Sequence, residues 1–247
     1  MPPVTWVLDL DGVVWLAEQP IPGAADAVAR LRAQGERVLF ATNNSAALLG
    51  DQEAKLERHG IPAGGDVISS AVAAAQLVEP GERALVCGGP GVVEAVTGRG
   101  AEPVREGEAD AVIVGFHRDF DYERLRVAMT AVRHGARLIA TNDDATYPTP
   151  DGPIPGGGSL AAAVAYASGV TPTVAGKPHR PMADLIRALA GEQGTVVGDR
   201  PETDGAFATA LGYRFALVLT GVTSRSDLPV EPEPAVVAAS LADLVAQ

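Results

Sequence analysis

The 247-residue chain has a single cysteine, Cys87, so no intrachain disulfide can brace it. One thiol fits a reducing compartment, and a cytoplasmic location is the expectation. No apolar run reaches the ~18 to 20 residues of a membrane-spanning helix. The first residues, MPPVTWVLDLDG, carry neither a basic segment nor a small-residue cleavage site, so no signal peptide is expected. Positive charge is scarce: 19 Lys and Arg stand against 31 Asp and Glu, a formal net charge of -12. Such a surface repels nucleic acid and anionic lipid, so neither is expected as a partner. Among the cationic residues only Lys55 and Lys177 are lysines. The four histidines, His59, His117, His134 and His179, show no metal-ligand spacing. Internal repeats of about 20 to 50 residues and low-complexity tracts are both lacking.

What is present is an alternation of apolar runs with helix-like stretches. Apolar residues make up 47% of the chain, enough for one large domain or two modest ones. Strands are predicted at Val4–Leu10, Arg37–Ala41, Arg83–Cys87, Ala111–Gly115, Arg137–Thr141, Thr195–Gly198 and Arg214–Leu219, with a short strand and helix after the proline-rich 229–234 segment. Helix spacing over Ala24–Gln34 stops at Gly35, and Ser45 is placed to cap a helix ending at Gly60. This rhythm argues for parallel sheets covered by helices. Residues 143–158 are crowded with Pro and Gly and read as loops and turns, with Ser159 as the N-cap of the Ala-rich helix that follows.

Four motifs bear chemistry, each at the carboxyl end of a predicted strand or at a loop-to-helix entry, where ligands bind in open α/β sheets. Asp9-Leu10-Asp11-Gly12 offers two carboxylates two residues apart, on one side of extended chain. Thr42-Asn43-Asn44 offers a hydroxyl and backbone N–H groups suited to phosphate oxygens. Gly176-Lys177-Pro178 places a compact cation in a small, apolar context. The run from Gly198 to Asp204 brings two more carboxylates, Asp199 and Asp204, and hard cations such as Mg²⁺ seek such oxygens. Taken singly, each has a plain structural reading as an Asp-rich turn, a helix cap or a surface lysine.

Together, in this order, they resemble the haloacid dehalogenase superfamily. The segments DLDGVVW, ATNNS, ATNDDATYP, PGGGSLAAA, VAGKPHRPM and VGDRPETD are similar to its subfamily IIA, which contains NagD, p-nitrophenyl phosphatase, phosphoglycolate phosphatase and glycerol-3-phosphate phosphatase. Gly205 departs from that subgroup, which usually has an apolar residue there. The resemblance implies an α/β fold: a Rossmann-like parallel-sheet core over residues 1–78 and 176–247, with a large inserted α/β cap of the C2 type over 79–175. It implies a Mg²⁺-dependent phosphomonoesterase for a small phosphorylated metabolite (glycerol phosphate, phosphoglycolate, a nucleotide or sugar monophosphate, or p-nitrophenyl phosphate as an artificial substrate).

By the same resemblance, Asp9 is the nucleophile that becomes an aspartyl-phosphate and Asp11 the general acid and base. Thr42, Asn43 and Lys177 bind phosphate. Asp9, Asp199 and the Asp11 backbone carbonyl bind metal, with Asp204 behind them. The loops 142–148 and 156–159 are expected to approach the substrate, and a homodimer through the cap is a further expectation. A phosphomutase of the same superfamily is the alternative, opposed by the position of the insertion. A receiver-like phospho-accepting module is another, opposed by chain length. The Gly88–Gly91 turn and the Gly176-Lys177 pair fall short of dinucleotide and P-loop fingerprints, and PGGGS is no hydrolase elbow.

Overall fold

The computed structural model describes residues 4–147, 149 and 152–246. The chain divides into two compact units. The first comprises 1–42, 50–68 and 177–247, and the second 43–49 and 69–176. Elements are numbered along the whole chain.

In the first unit, β1 (Thr5–Leu8) leads through the hairpin β2 (Trp15–Leu16) and β3 (Gln19–Pro20) to α1 (Ala24–Ala33), β4 (Arg37–Thr42), α2 (Leu49–Arg58) and β5 (Val67–Ser69). It resumes after the second unit with α7 (Arg180–Ala190), β13 (Gly194–Gly198), a π-helical turn at Pro201–Gly205, α8 (Ala206–Leu211), β14 (Arg214–Val218), β15 (Val236–Ala238) and α9 (Leu241–Val245). The sheet runs β5-β4-β1-β13-β14-β15. The pairings of β1 with β4 and β13, and of β14 with β13 and β15, are parallel. Numbered within the unit, this is the 3-2-1-4-5-6 order of doubly wound dinucleotide-type folds, with its reversal between β1 and β13. The strands are nearly continuous runs of buried apolar residues (Val7, Leu8, Val38, Leu39, Phe40, Val196, Val197), as a sheet covered on both faces requires. Helix α1 buries Val28 and Leu31, carries Asp26 in its first turn and Arg30 and Arg32 in its last, and so complements its own dipole.

The second unit contains α3 (Ser70–Ala75), β6 (Arg83–Cys87), α4 (Pro90–Gly98), β7 (Glu102–Val104), β8 (Ala111–Val114), α5 (Tyr122–Arg133), β9 (Arg137–Ala140), the small pair β10 (Thr146–Tyr147) and β11 (Ile154–Pro155), α6 (Gly157–Ser168) and β12 (Thr173–Val174). Its sheet, β12-β9-β8-β6-β7, is parallel throughout. Its core joins Leu85, Val112, Val114 and Leu138 of the sheet to Ala128 and Val132 of α5 and Val164 of α6. The segment 43–49 packs here. Gly91 N–H donates to the Ala46 carbonyl at 3.0 Å and Leu49 N–H to Glu94 at 2.9 Å. A Cβ at Gly89 would fall 2.7 Å from Ala46 Cα, so bare backbone is needed for this approach.

Two sequence readings are corrected. Helix α2 begins at Leu49, and Ser45 is no cap: it is buried and accepts a hydrogen bond from Thr141 Oγ1 at 2.9 Å. Ser159 lies inside the first turn of α6, whose N-cap is Gly156, and its hydroxyl donates to the Ala145 carbonyl at 2.6 Å. Where the sequence reading drew boundaries at 78/79 and 175/176, the compact units meet along the chain at 68/69 and 176/177, and the second also takes 43–49. No helix among the described residues is long and apolar enough to cross a membrane.

Candidate active site

The site is built at the strand tips beside the reversal of the first unit's sheet. Leu8 pairs with Phe40 of β4 and Val197 of β13, so Asp9, Thr42 and Asp199 all emerge at adjacent carboxyl ends. Asp9 N–H donates to the Val197 carbonyl at 2.9 Å, which holds the chain in register one residue past β1.

Asp9, Asp199 and Asp204 each offer a carboxylate oxygen within 4.8 Å of the others. Lys177 reaches into the group from the chain segment before α7. Its Nζ donates to Asp9 Oδ1 at 2.7 Å and to Asp204 Oδ1 at 2.8 Å, and its side chain is only 3% exposed. The other oxygen of Asp204 accepts Arg200 N–H at 3.2 Å, and Asp204 N–H returns a 2.7 Å bond to the Arg200 carbonyl through the π-helical turn. Asp204 is therefore fully engaged. Asp199 is not: Oδ2 accepts Val222 N–H at 2.6 Å, while Oδ1 is buried with no partner. A buried carboxylate oxygen without a donor calls for a cation.

Three glycines let the carboxylates pack this closely. A Cβ at Gly221 would lie 1.9 Å from Asp199 Oδ2, at Gly12 2.5 Å from Asp199 Cγ, and at Gly198 2.2 Å from Asp204 Cγ. Gly12 also has φ +86°, open to glycine at little cost, and its carbonyl accepts Thr220 Oγ1 at 2.5 Å. Gly205 has a packing reason as well, since a Cβ there would come within 2.8 Å of Pro232 Cγ and 3.0 Å of Phe215 Cε1.

The electrostatics follow from burial. Loss of hydration raises Asp9 above the usual carboxylate range, with Lys177 pulling it down and Asp204 pushing it up. Burial likewise pushes Asp199 up to about 6 against the Val222 N–H bond. Burial works against the charge of Lys177, but Asp204 and Asp9 overcome it and hold the ammonium charged. One lysine among three carboxylates leaves the cluster short of positive charge.

Asp11 sits in the turn after β1. It keeps solvent contact, yet reduced hydration raises its carboxyl above the ordinary value, against the Trp15 hydrogen bond and the charges of Lys55, Lys177 and Arg200. Thr42 is buried at the end of β4. Asn43, the next residue, belongs to the second unit. There its carbonyl accepts Ser70 Oγ and Asn142 Nδ2, each at 2.8 Å, and its side chain donates to Asp144 at 3.2 Å. Of the expected specificity loop, Asn142 and Asp144 thus bond to Asn43, and Pro148 lies outside the described residues. The structure gathers Asp9, Lys177, Asp199 and Asp204 into one cluster. The sequence reading carried Trp15, Gly12 and Gly198 inside its quoted segments without giving them a part in the site, and it missed Gly221.

A parallel sheet that collects carboxylates and a buried ammonium at its switch point defines a class: Rossmann-like α/β enzymes with an acidic, cation-seeking pocket. Residues 6–102 match the family model for haloacid dehalogenase-like hydrolases, and residues 174–244 match a second, HAD-hydrolase-like model. The D-glycerol 3-phosphate phosphatase of Mycobacterium tuberculosis is 38% identical over 229 residues, 90% of this chain; the matched region spans 64% of that protein's length. The acid sugar phosphatase of Staphylococcus saprophyticus is 32% identical over 93% of this chain and 91% of its own. A crystal structure of the glycerol phosphate phosphatase of Mycobacterium tuberculosis in complex with magnesium has a TM-score of 0.89 at 37% identity, covering 97% of this chain and 75% of that one. The chain belongs to the haloacid dehalogenase-like hydrolases, within the NagD-like subgroup.

Proposed function

We propose that this chain is a Mg²⁺-dependent phosphomonoesterase for small phosphorylated metabolites, working through an aspartyl-phosphate on Asp9. The observation that carries the reading is the cluster at the β1 and β13 tips: Asp9 held at 2.7 Å by buried Lys177, beside the unpartnered Oδ1 of Asp199.

In the first step an Asp9 carboxylate oxygen attacks phosphorus in line, and the bond from phosphorus to the ester oxygen breaks. Asp11 gives its proton to the departing oxygen. In the second step Asp11, now charged, takes a proton from water. The water oxygen bonds to phosphorus, the bond to Asp9 breaks, and inorganic phosphate leaves. Thr42 and Lys177 donate to the phosphoryl oxygens, and the Asn43 backbone N–H continues the set from the next residue.

The donor set fits a hard divalent cation: oxygens only, carboxylates among them, and one carboxylate oxygen orphaned. Asp9, Asp199 and the Asp11 backbone carbonyl would hold it, while Asp204, its oxygens taken by Lys177 and Arg200 N–H, supports from behind. When bound, Mg²⁺ supplies the positive charge that lets a phosphate approach these carboxylates. Without it, each like-charge pair at ~4 Å costs up to about 4 kcal/mol at an effective dielectric of about 20. The second unit is proposed as the cap that selects the leaving group, which agrees with phosphatases of different substrates among the relatives.

The test is acid quenching during turnover of glycerol 3-phosphate with Mg²⁺. The native protein yields acid-labile phosphoprotein, and Asp9→Asn yields none, with kcat lower by roughly 10⁴-fold or more. Removing the metal with a chelator silences the native protein, and added Mg²⁺ restores it. Retained turnover in Asp9→Asn overturns the nucleophile assignment, and turnover that survives chelation overturns the metal.

A further inference from the structure

Trp15 is not part of the four motifs, yet its indole holds the Asp11 carboxyl: Nε1–H donates to Oδ1 at 3.0 Å. The indole is 3% exposed. Its place is set by the backbone of the turn. Val14 and Trp15 N–H both return to the Leu10 carbonyl, at 2.9 and 3.2 Å, and Gly12 N–H donates to the Trp15 carbonyl at 2.7 Å. Residues 11 and 15 are thereby folded side by side.

The ring is also held from its face. The Lys55 ammonium lies 4.3 Å from the indole centroid, and is itself fixed by the Ala17 carbonyl at 2.6 Å and Glu18 at 3.2 Å. The His59 ring stands 6.0 Å away, tilted by 51°. One of the chain's two lysines is thus spent on this indole, and the other on Asp9 and Asp204.

We propose that Trp15 is a positioning residue for Asp11, deciding which carboxyl oxygen carries the transferable proton. The proposal rests on the reading of Asp11 as general acid and base. An indole N–H donates and never accepts. Oδ1 must therefore remain an acceptor in both protonation states, and the proton resides on Oδ2. In the first step that proton passes from Oδ2 to the ester oxygen as its bond to phosphorus breaks, and in the second Oδ2 takes a proton from water. Without the indole N–H, the carboxyl is free to rotate and to carry its proton on the wrong oxygen.

The experiment separates orientation of the acid from general damage through the leaving group. An alkoxide needs a proton as it departs, whereas p-nitrophenolate departs as the anion. The readout is the ratio of kcat/KM for glycerol 3-phosphate to that for p-nitrophenyl phosphate, which reports the steps through leaving-group departure. In Trp15→Phe this ratio falls by about tenfold, the scale of one hydrogen bond to a charged group. Asp11→Asn, measured alongside, lowers the ratio further.

If Asp11→Asn lowers the ratio and folded Trp15→Phe does not, the Trp15 proposal is overturned and the reading of Asp11 stands. If Asp11→Asn leaves the ratio unchanged, the acid assignment itself fails and the proposal falls with it. Should Trp15→Phe not fold by its thermal melt, Trp15→Leu decides, since it too removes the donor to Asp11 Oδ1 and leaves the charge of Lys55 in place. A lowered ratio in that variant supports the proposal, and an unchanged one overturns it.

Discussion

Lys177 and Cys87 show what burial does to a titratable side chain with and without partners. Lys177 is buried between Asp9 and Asp204 and stays charged, because two carboxylates at hydrogen-bond distance outweigh its lost hydration. Cys87 ends β6 inside the second unit's core, where burial pushes its thiol up to about 11 against a weak opposing pull from Arg124. The unfolded thiol titrates near 9.0. Below about 9 both states keep the proton, and the contribution of the buried thiol is fully present. Between about 9 and 11 the unfolded chain alone loses the proton, so stability declines as pH rises. The expected outcome is that the stability advantage of the native protein over Cys87→Ala, measured by urea unfolding, shrinks from pH 8 to pH 10.5. Native Cys87 should also resist thiol reagents at pH 8 that label the unfolded chain at once.

At the scale of elements, the site exists because loops from several strands approach without side chains in the way. Gly221 follows β14, and its bare Cα lets Asp199 Oδ2 receive the Val222 N–H. Gly221→Ala would drive a methyl group to within 1.9 Å of that oxygen, so the loop or the carboxylate has to move. The expected cost is about 1 to 3 kcal/mol of stability, the usual range for overpacking. The Mg²⁺ concentration for half-maximal activity should rise by about tenfold or more, read by metal titration beside a thermal melt. An unchanged metal requirement would mean that the loop, and not the Asp199 carboxylate, gives way. The π-helical turn at 201–205 has a comparable part, since it points the Asp204 carboxylate back at Lys177 and Arg200 N–H before α8 begins.

On the scale of the whole molecule, a net charge of -12 meets a substrate that is itself anionic. Long-range repulsion of that kind is screened by salt, the Debye length falling from about 30 Å at 0.01 M to about 8 Å at 0.15 M. For glycerol 3-phosphate at saturating Mg²⁺, kcat/KM should therefore rise by roughly twofold over that range. A fall with added salt would mean that the local field of the cation and Lys177 governs encounter instead of net charge.

Much of the parallel architecture was legible in order of appearance, because a strand buried on both faces is a short run of apolar residues and its ligand-bearing tip follows at once: VLDLD, FATNN, VVGD. Asp9, Thr42 and Asp199 stood out for the same reason, whereas Lys177 stood out by its small, apolar context and Asp204 by its place at a helix entry. Ser45 and Ser159 were misread because a hydroxyl before a helical run looks like a cap whichever partner it finally takes. Here the partners, Thr141 and the Ala145 carbonyl, stand 96 and 14 residues away. Sequence alone determined which residue types stand at the strand tips and in what order, since residue type and strand-end position are local properties, and that order carried the family resemblance. Only the tertiary structure decided that Lys177 bridges Asp9 and Asp204 while one oxygen of Asp199 goes unpartnered, and that an indole binds Asp11. Strand order and loop packing bring residues 9, 177, 199 and 204 within bonding distance, and no local pattern encodes a contact between segments so far apart in the chain.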